Sequence, residues 1–410
     1  MQVLYKGGAV FDGVDRVLDL HGVLVADGRV EKLAPLAAFD GFAGETVDTA
    51  GGTLMPGLID CHVHLCLGGE GDPGTAAEKL LPGQMVMKAL ARAQATLAGG
   101  VTGIRDCGGR DYLEFAVRDA CNGGQLLGPS IRASGRMICM TGGHGNRNGR
   151  IADGIDEVVK AVREQIHAGS DLVKIMATGG IMTPGVNPED AHYSAEEMAA
   201  GIKEANRFHR RTASHAQGAE GILNAVRGGI DSIEHGIFLT DECIREMLNG
   251  GVYLVPTLAA LRNIVDNKNH GIPDYVMEKA ARVSEHHLRS IKMFYDAGGK
   301  IAMGTDAGTP FNRHGANARE LAFMVNIGVA PLDAMRFATS AAADLVDLPG
   351  EGRIADGACA DFLLVHGDPA ADIECVANPD NHRLVVKGGQ PVTLPAMAFS
   401  ASPFQTLAAF

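Results

Sequence analysis

The chain has no CxxC pair, and its eight Cys, at 61, 66, 107, 121, 139, 243, 359 and 375, are scattered. That spacing offers no disulfide framework and points to a reducing compartment. No window reaches the roughly 18 consecutive apolar residues of a membrane span. Met1–Val10 holds one Lys and no long apolar stretch, so no secretory signal is expected there and the expected setting is cytoplasmic. No GxGxxG opens a helix after an early strand, which leaves a dinucleotide fold without support. Positive charge is also short. Lys and Arg number 36 against 49 Asp and Glu, a formal net charge of −13. Nucleic acid and anionic membrane both need a positive face, so neither is expected as a partner.

What is present is enough apolar residue for a large core. The 410 residues are 46% hydrophobic, which suits one large domain and a smaller one. The 54 Gly fit many turns and close backbone approaches. Residues 1–53 alternate apolar and polar side chains around DG turns, as in GVLVADGRVEKLAP. Residues 350–394 look similar, and the two ends together suggest one small β-sandwich domain. The middle, 54–349, alternates short apolar runs with helical periodicity. Strands are expected at 54–64, 100–107, 130–135, 172–178, 211–216, 231–236, 252–258 and 301–307. Helices are expected at 84–98, 155–168, 195–208 and 217–228, and the Met and Leu stripe of 84–98 reads as core packing. Eight strand–helix units imply an α/β fold, a (β/α)₈ TIM-like barrel whose chemistry sits at the C-terminal strand ends. A doubly wound open sheet is the structural alternative. The tail, 395–410, carries apolar residues suggesting a docked terminus or a subunit contact, and a homo-oligomer is expected.

The ionisable residues fall at those strand ends. His62 and His64 are two apart, so both rings share one face of a strand, where two imidazoles can bind one metal. Lys174 lies inside the apolar run VKIMA, where a buried amine is costly unless it is paired, with Glu234 for example, or chemically changed. His215 closes TASH, His235 closes SIEH and Asp306 follows MGT. Singly, each has an ordinary reading: a satisfied polar strand end, or a helix cap for Asp306. Jointly they converge on one barrel mouth and define a metal site.

The segments PGLIDCHVH, VKIMATGG, SHA, IEHG and GTDAG, with the closing GRIADGACADFLLV, resemble the amidohydrolase superfamily. The branch they are most similar to holds imidazolonepropionase and the metal-dependent prolidases and carboxypeptidases. The resemblance implies two divalent metals, Zn by default with Mn, Fe or Co also suited. His62, His64 and Asp306 would hold the more buried one, and His215 and His235 the more exposed one. Lys174 would be N-carboxylated and bridge them, with a bridging hydroxide as nucleophile. Asp306 would carry the proton to the leaving amine. His144, in MTGGHGN, resembles a His that contacts the oxygen becoming the oxyanion.

The expected reaction is cleavage of an amide bond in a small molecule, a dipeptide or N-acyl amino acid. Hydrolysis of a cyclic amide, or of an aryl amide, carbamate or urea, is the alternative within the superfamily. A non-catalytic metal-binding barrel is the alternative outside it. Gln217 stands where prolidase-like relatives carry an aromatic residue that holds the substrate carboxylate, a departure that weakens transfer of their activity. Tyr193, Arg105, Arg313 and His314 are further candidates for contacts to substrate, with Arg313 able to clamp a carboxylate bidentately.

Overall fold

The computed structural model describes residues 2–268 and 270–394. The tail expected over 395–410 lies outside them. All six residues of Leu58–Val63 (LIDCHV) are buried, as in a strand covered on both faces. Seven parallel strands, mostly buried, line the ring: β1 Leu58–Val63, β2 Val101–Asp106, β3 Ser130–Ala133, β4 Leu172–Met176, β5 Arg211–Ala216, β6 Ser232–His235 and β7 Tyr253–Val255. β1, β2 and β3 pair in order, as do β4 to β7. The amide of Asp171 donates to Ala133 O at 2.9 Å and joins the two arcs. On the other side the segment 301–307 closes the ring. It bridges β7 at Leu254–Ile301 and β1 at Val63–Ala307. The result is a (β/α)₈ TIM-like barrel.

Local chemistry explains the helices around it. Pro82–Ala98 turns Met85, Ala89, Ala93 and Leu97 inward at helical spacing, so the Met and Leu stripe is core. Ala195–Arg207 starts at a capping box, in which Ser194 Oγ accepts from Glu197 N and the Glu197 side chain accepts from Ser194 N. Cys61 is a buried small residue, its thiol donating to Ala342 O at 3.8 Å. Among the described residues, no helix is long and apolar enough to cross a membrane.

Both chain ends build two further sheets. One has the order Arg29–Pro35, His21–Ala26, Gln2–Lys6, Glu45–Asp48. The other runs Gln390–Pro391, His382–Lys387, Phe362–His366, Gly52–Pro56, Ala9–Phe11, Val17–Leu18. Tyr5, Val23 and Val25 of the first meet Leu54, Phe362 and Leu364 of the second in one apolar cluster.

The structure divides the single strand expected over 54–64. Gly52–Pro56 pairs with Phe362–His366 in the terminal sheet, whereas Leu58–Val63 enters the barrel. The hinge is Gly57, whose amide donates to Asp361 O at 2.9 Å. A Cβ there would stand 2.2 Å from Thr102 Oγ1 and 2.3 Å from its Cγ2. Continuous apolar character hid this change of sheet. Gly57→Ala should therefore cost about 1–3 kcal/mol by overpacking against buried Thr102. A wild-type denaturant midpoint for that variant would contradict the tight approach.

Candidate metal centre and active site

Six side chains meet where the strands end. His62 lies on β1 and His64 one residue beyond it. Lys174 lies on β4, His215 on β5, His235 closes β6, and Asp306 lies on the closing segment. Ring centroids of His62 are 5.3 Å from His64 and 5.2 Å from His235, and His215 is 4.6 Å from His235. His144 completes the row, 4.4 Å from His215. His235 (φ 72°) and Asp306 (φ 61°) adopt left-handed backbone, as does Thr257 (φ 53°) at the end of β7. Non-glycine residues held there store strain of about 1–3 kcal/mol each, typical of functional sites.

The hydrogen bonds assign each imidazole. His62 Nδ1 faces Glu234 Oε2 at 2.8 Å, and a carboxylate only accepts, so Nδ1 carries the proton. His64 Nδ1 donates to Gly108 O at 2.9 Å. His215 Nε2 donates to Gly179 O at 2.9 Å. Thr257 Oγ1 gives its proton to Pro256 O, so it accepts from His235 Nδ1 at 2.6 Å. The remaining nitrogens, Nε2 of His62, His64 and His235 and Nδ1 of His215, are therefore lone pairs. Burial first, and the nearby Lys174 charge among the lesser causes, holds His62, His215 and His235 well below the usual imidazole range.

These acceptors converge on a space that needs positive charge. Asp306 Oδ1 lies 3.5 Å from His62 Nε2 and 3.1 Å from His64 Nε2, yet has no well-formed hydrogen bond. Lys174, 1% exposed, has a buried Nζ with no partner. Donor atoms of His62, His235 and Asp306 all lie within 4.8 Å of one another. The donor set of imidazole nitrogen and carboxylate oxygen fits divalent metal. His62, Cys107 and Glu234 also cluster. There, however, burial pushes the Cys107 thiol up to about 12 and Glu234 is already bonded to Arg105 and Ser232.

A second layer of side chains holds these groups in place. Glu234 bonds His62 with one oxygen, and with the other accepts from Arg105 Nη2 at 2.7 Å and Ser232 Oγ at 2.6 Å. Lys174 therefore does not pair with Glu234. Asp60 accepts from the amides of His62 and Thr305 and from Asn317 Nδ2, tying β1 to the closing segment. Glu234 and Asp60 had a sequence signal: each is an acid inside an apolar strand, on the ligand's own strand. Asn317 had none.

Above the six side chains opens a cavity of about 290 Å³. It is lined by all six side chains, by His144, by Gln217, and by Ile181, Ile237, Leu261 and Ile264 among others. His144 Nδ1 lies 2.8 Å from Thr183 Oγ1, and burial pushes its pKa down to about 3, so the ring is neutral. Gln217 is buried with an unpartnered Oε1.

Four candidates for substrate contact lie elsewhere. Arg105 is buried inside the barrel, spent on Cys61 O, Ser232 and Glu234. Tyr193 packs in the core and donates to Ala152 O at 2.8 Å. His314 stands behind the β1 loop, with Nε2 3.2 Å from His64 O and 3.1 Å from Leu67 O. Arg313 is exposed and does not line the cavity. Arg105 points back into the barrel because side-chain direction alternates along a strand, and the loop bearing Arg313 and His314 does not bring either to the cavity. Arg147, which sequence reasoning passed over, does line the cavity.

Known proteins fit this architecture. The model described as "Amidohydrolase family" matches residues 53–392. Ochratoxinase from Aspergillus niger is 31% identical over 371 residues, covering 82% of this chain and 75% of that protein. A Xaa-Pro dipeptidase crystallised with methionine in its active site superposes with a TM-score of 0.87 at 30% identity, over 96% of this chain and 100% of that one. A prolidase complexed with N-methylphosphonate-L-proline also superposes at 0.87, with 29% identity over 96% of this chain and 100% of that one.

The second layer yields a direct test. Glu234→Gln removes the acceptor that orients His62 and strands the Arg105 charge. Metal affinity, read by calorimetric titration, should fall about 10–100-fold. Stability should fall by about 3–5 kcal/mol. Unchanged affinity would show that His62 is positioned without Glu234.

Proposed function

The chain belongs to the amidohydrolase family, hydrolases of carbon–nitrogen bonds, and from that premise we propose that it cleaves an amide bond in a small molecule, an N-acyl amino acid or a dipeptide. The observation that carries this reading is the convergence of four imidazole lone pairs and Asp306 Oδ1 around the unpartnered Lys174 Nζ, at the floor of a cavity. His62, His64 and Asp306 would hold one divalent metal, and His215 and His235 a second. Zn suits these donors, and so do Mn, Fe and Co. Lys174, by adding CO₂ and releasing a proton, would become an anionic carbamate shared by both. When bound, such metals supply a water acidic enough to attack a carbonyl at neutral pH.

The chain's own groups do the rest. Asp306 takes the proton of the attacking water and hands it to the leaving nitrogen. Neutral His144 donates to the carbonyl oxygen as negative charge builds there. Gln217, without charge, hydrogen-bonds the substrate near His215. The similarity to a Xaa-Pro dipeptidase and to ochratoxinase, an amide hydrolase, supports an amino acid as the leaving group. The two terminal sheets, around Tyr5 and Phe362, are proposed to form a discrete β-sandwich domain.

Metal-loaded protein should release free amino acid from a panel of N-acyl amino acids and dipeptides, followed by chromatography. Turnover of cyclic amides or aryl ureas alone would overturn the substrate reading. Asp306→Asn should keep the fold while losing about 10²–10⁴ in kcat. A loss under about tenfold would remove Asp306 as the proton carrier.

A further inference from the structure

A second cavity, of about 90 Å³, lies at the floor of the barrel. Leu172 and Arg211, the residues that open β4 and β5, line it, so it stands at the opposite end from the cavity described above. Beneath it the helix Ser340–Val346 closes the barrel, with Leu345 and Val346 packed in one cluster with Ile59 and Cys61 of β1. Arg105 forms its ceiling, descending from β2 to Ser232 at the start of β6. The walls include Arg132 on β3, in register with Arg105, and His209 and Arg210 from the turn before β5. His209 and Asp347 are exposed, which leaves the cavity within reach of solutes. Its volume holds a few waters or one small polyatomic ion.

Four arginines border this space, and a guanidinium does not shed its proton. Two are paired elsewhere: Arg105 with Glu234 at 2.7 Å and Arg211 with Asp231 at 2.8 Å. Arg210 has no side-chain hydrogen bond or ion pair among the described residues, and its Nε is buried. Arg132 Nε is also buried without a partner. The Arg132 Nη2 donates to a backbone oxygen, Asp347 O, and Nη1 stands 3.8 Å from Asp171 Oδ1. Asp171 is shared, since its Oδ2 accepts from Arg118 Nη1 at 3.1 Å and from Ala133 N at 2.9 Å. Asp347 offers Arg132 its carbonyl and forms no ion pair among the described residues. Leaving a buried donor of a charged group unsatisfied is costly, and two of them border one cavity.

We propose that this cavity binds a small tetrahedral oxyanion of the phosphate or sulfate class between Arg132 and Arg210. Its oxygens accept from the two Nε–H groups, which come from different strands and need acceptors pointing in different directions. A tetrahedral ion offers four such oxygens, and a carboxylate only two. The small volume admits the free ion and leaves no room for an organic ester. The bound ion ties β3 to the turn before β5 above the closing helix, and Arg105 separates it from the metal ligands. It is a ligand of the barrel floor, apart from the hydrolytic chemistry.

Calorimetric titration of metal-loaded protein with sodium sulfate, at ionic strength held constant with chloride, tests this. One saturable site per chain is expected, with acetate weaker by about tenfold or more. Arg210→Gln should weaken sulfate by about tenfold or more, because a charge-assisted hydrogen bond is lost. Since the Arg210 side chain has no partner in the fold, this variant should keep the wild-type Tm in the absence of sulfate. Sulfate should raise Tm further in the wild type than in Arg210→Gln. Arg132→Gln should weaken binding as well, whereas Arg262→Gln, at an exposed arginine on the helix Leu258–Asp266, should leave it unchanged. Absence of a saturable sulfate site in the wild type would overturn the proposal and leave the cavity to water. Equal affinity in the wild type and Arg210→Gln would overturn the placement of the ion, and acetate binding as tightly as sulfate would overturn its class.

Discussion

Four imidazole lone pairs and one carboxylate oxygen point into the same small volume, with the buried amine of Lys174 beside them. Acceptors packed so closely repel one another, and the low dielectric of the interior magnifies the cost. Cations among them would turn that repulsion into binding energy. His64 shows the demand, because its Nε2 lone pair beside Asp306 draws positive charge. Burial opposes a charge on His64, yet the Asp306 carboxylate beside it outweighs burial and raises the pKa.

Much of the barrel's C-terminal end exists to keep those acceptors aimed. Arg105 holds Glu234, which holds His62. Asp60 clamps β1 to the segment bearing Asp306. Glu320 accepts from the amides of Leu258 and Ala259, anchoring the helix that follows left-handed Thr257, and Thr257 fixes the tautomer of His235. Burial pushes the Glu320 pKa up to about 8 despite those two bonds. Each brace costs desolvation or strain and returns a fixed ligand direction, which is what tight metal binding needs.

The barrel and the six converging residues were legible because they obey local rules. Apolar runs of strand length mark buried parallel strands, and an imidazole, amine or carboxylate at the end of such a run has few places to point. The break at Gly57 was illegible, since strands in two different sheets read as one apolar run. So was the direction of longer side chains. Arg105 sits near a strand end in sequence but points into the barrel, and Tyr193 points into the core, while Arg147, in a glycine-rich loop, reaches the cavity. Loop geometry depends on contacts between distant segments, such as Lys279 holding the carbonyls of Thr183 and Val186, and no local pattern encodes them.

The same division separates chemistry from selectivity. The converging side chains come from strands and their ends, whose spacing is set by the barrel. The walls of the cavity above them come from loops and from the helix after β7. The claim beneath both is that the converging acceptors are a metal site bridged at Lys174. The metal content of protein purified without chelator, wild type beside Lys174→Ala, tests it most directly. About two divalent ions per wild-type chain are expected, and at most about one in the variant. Amide-hydrolysing wild-type protein that carries no metal would contradict it.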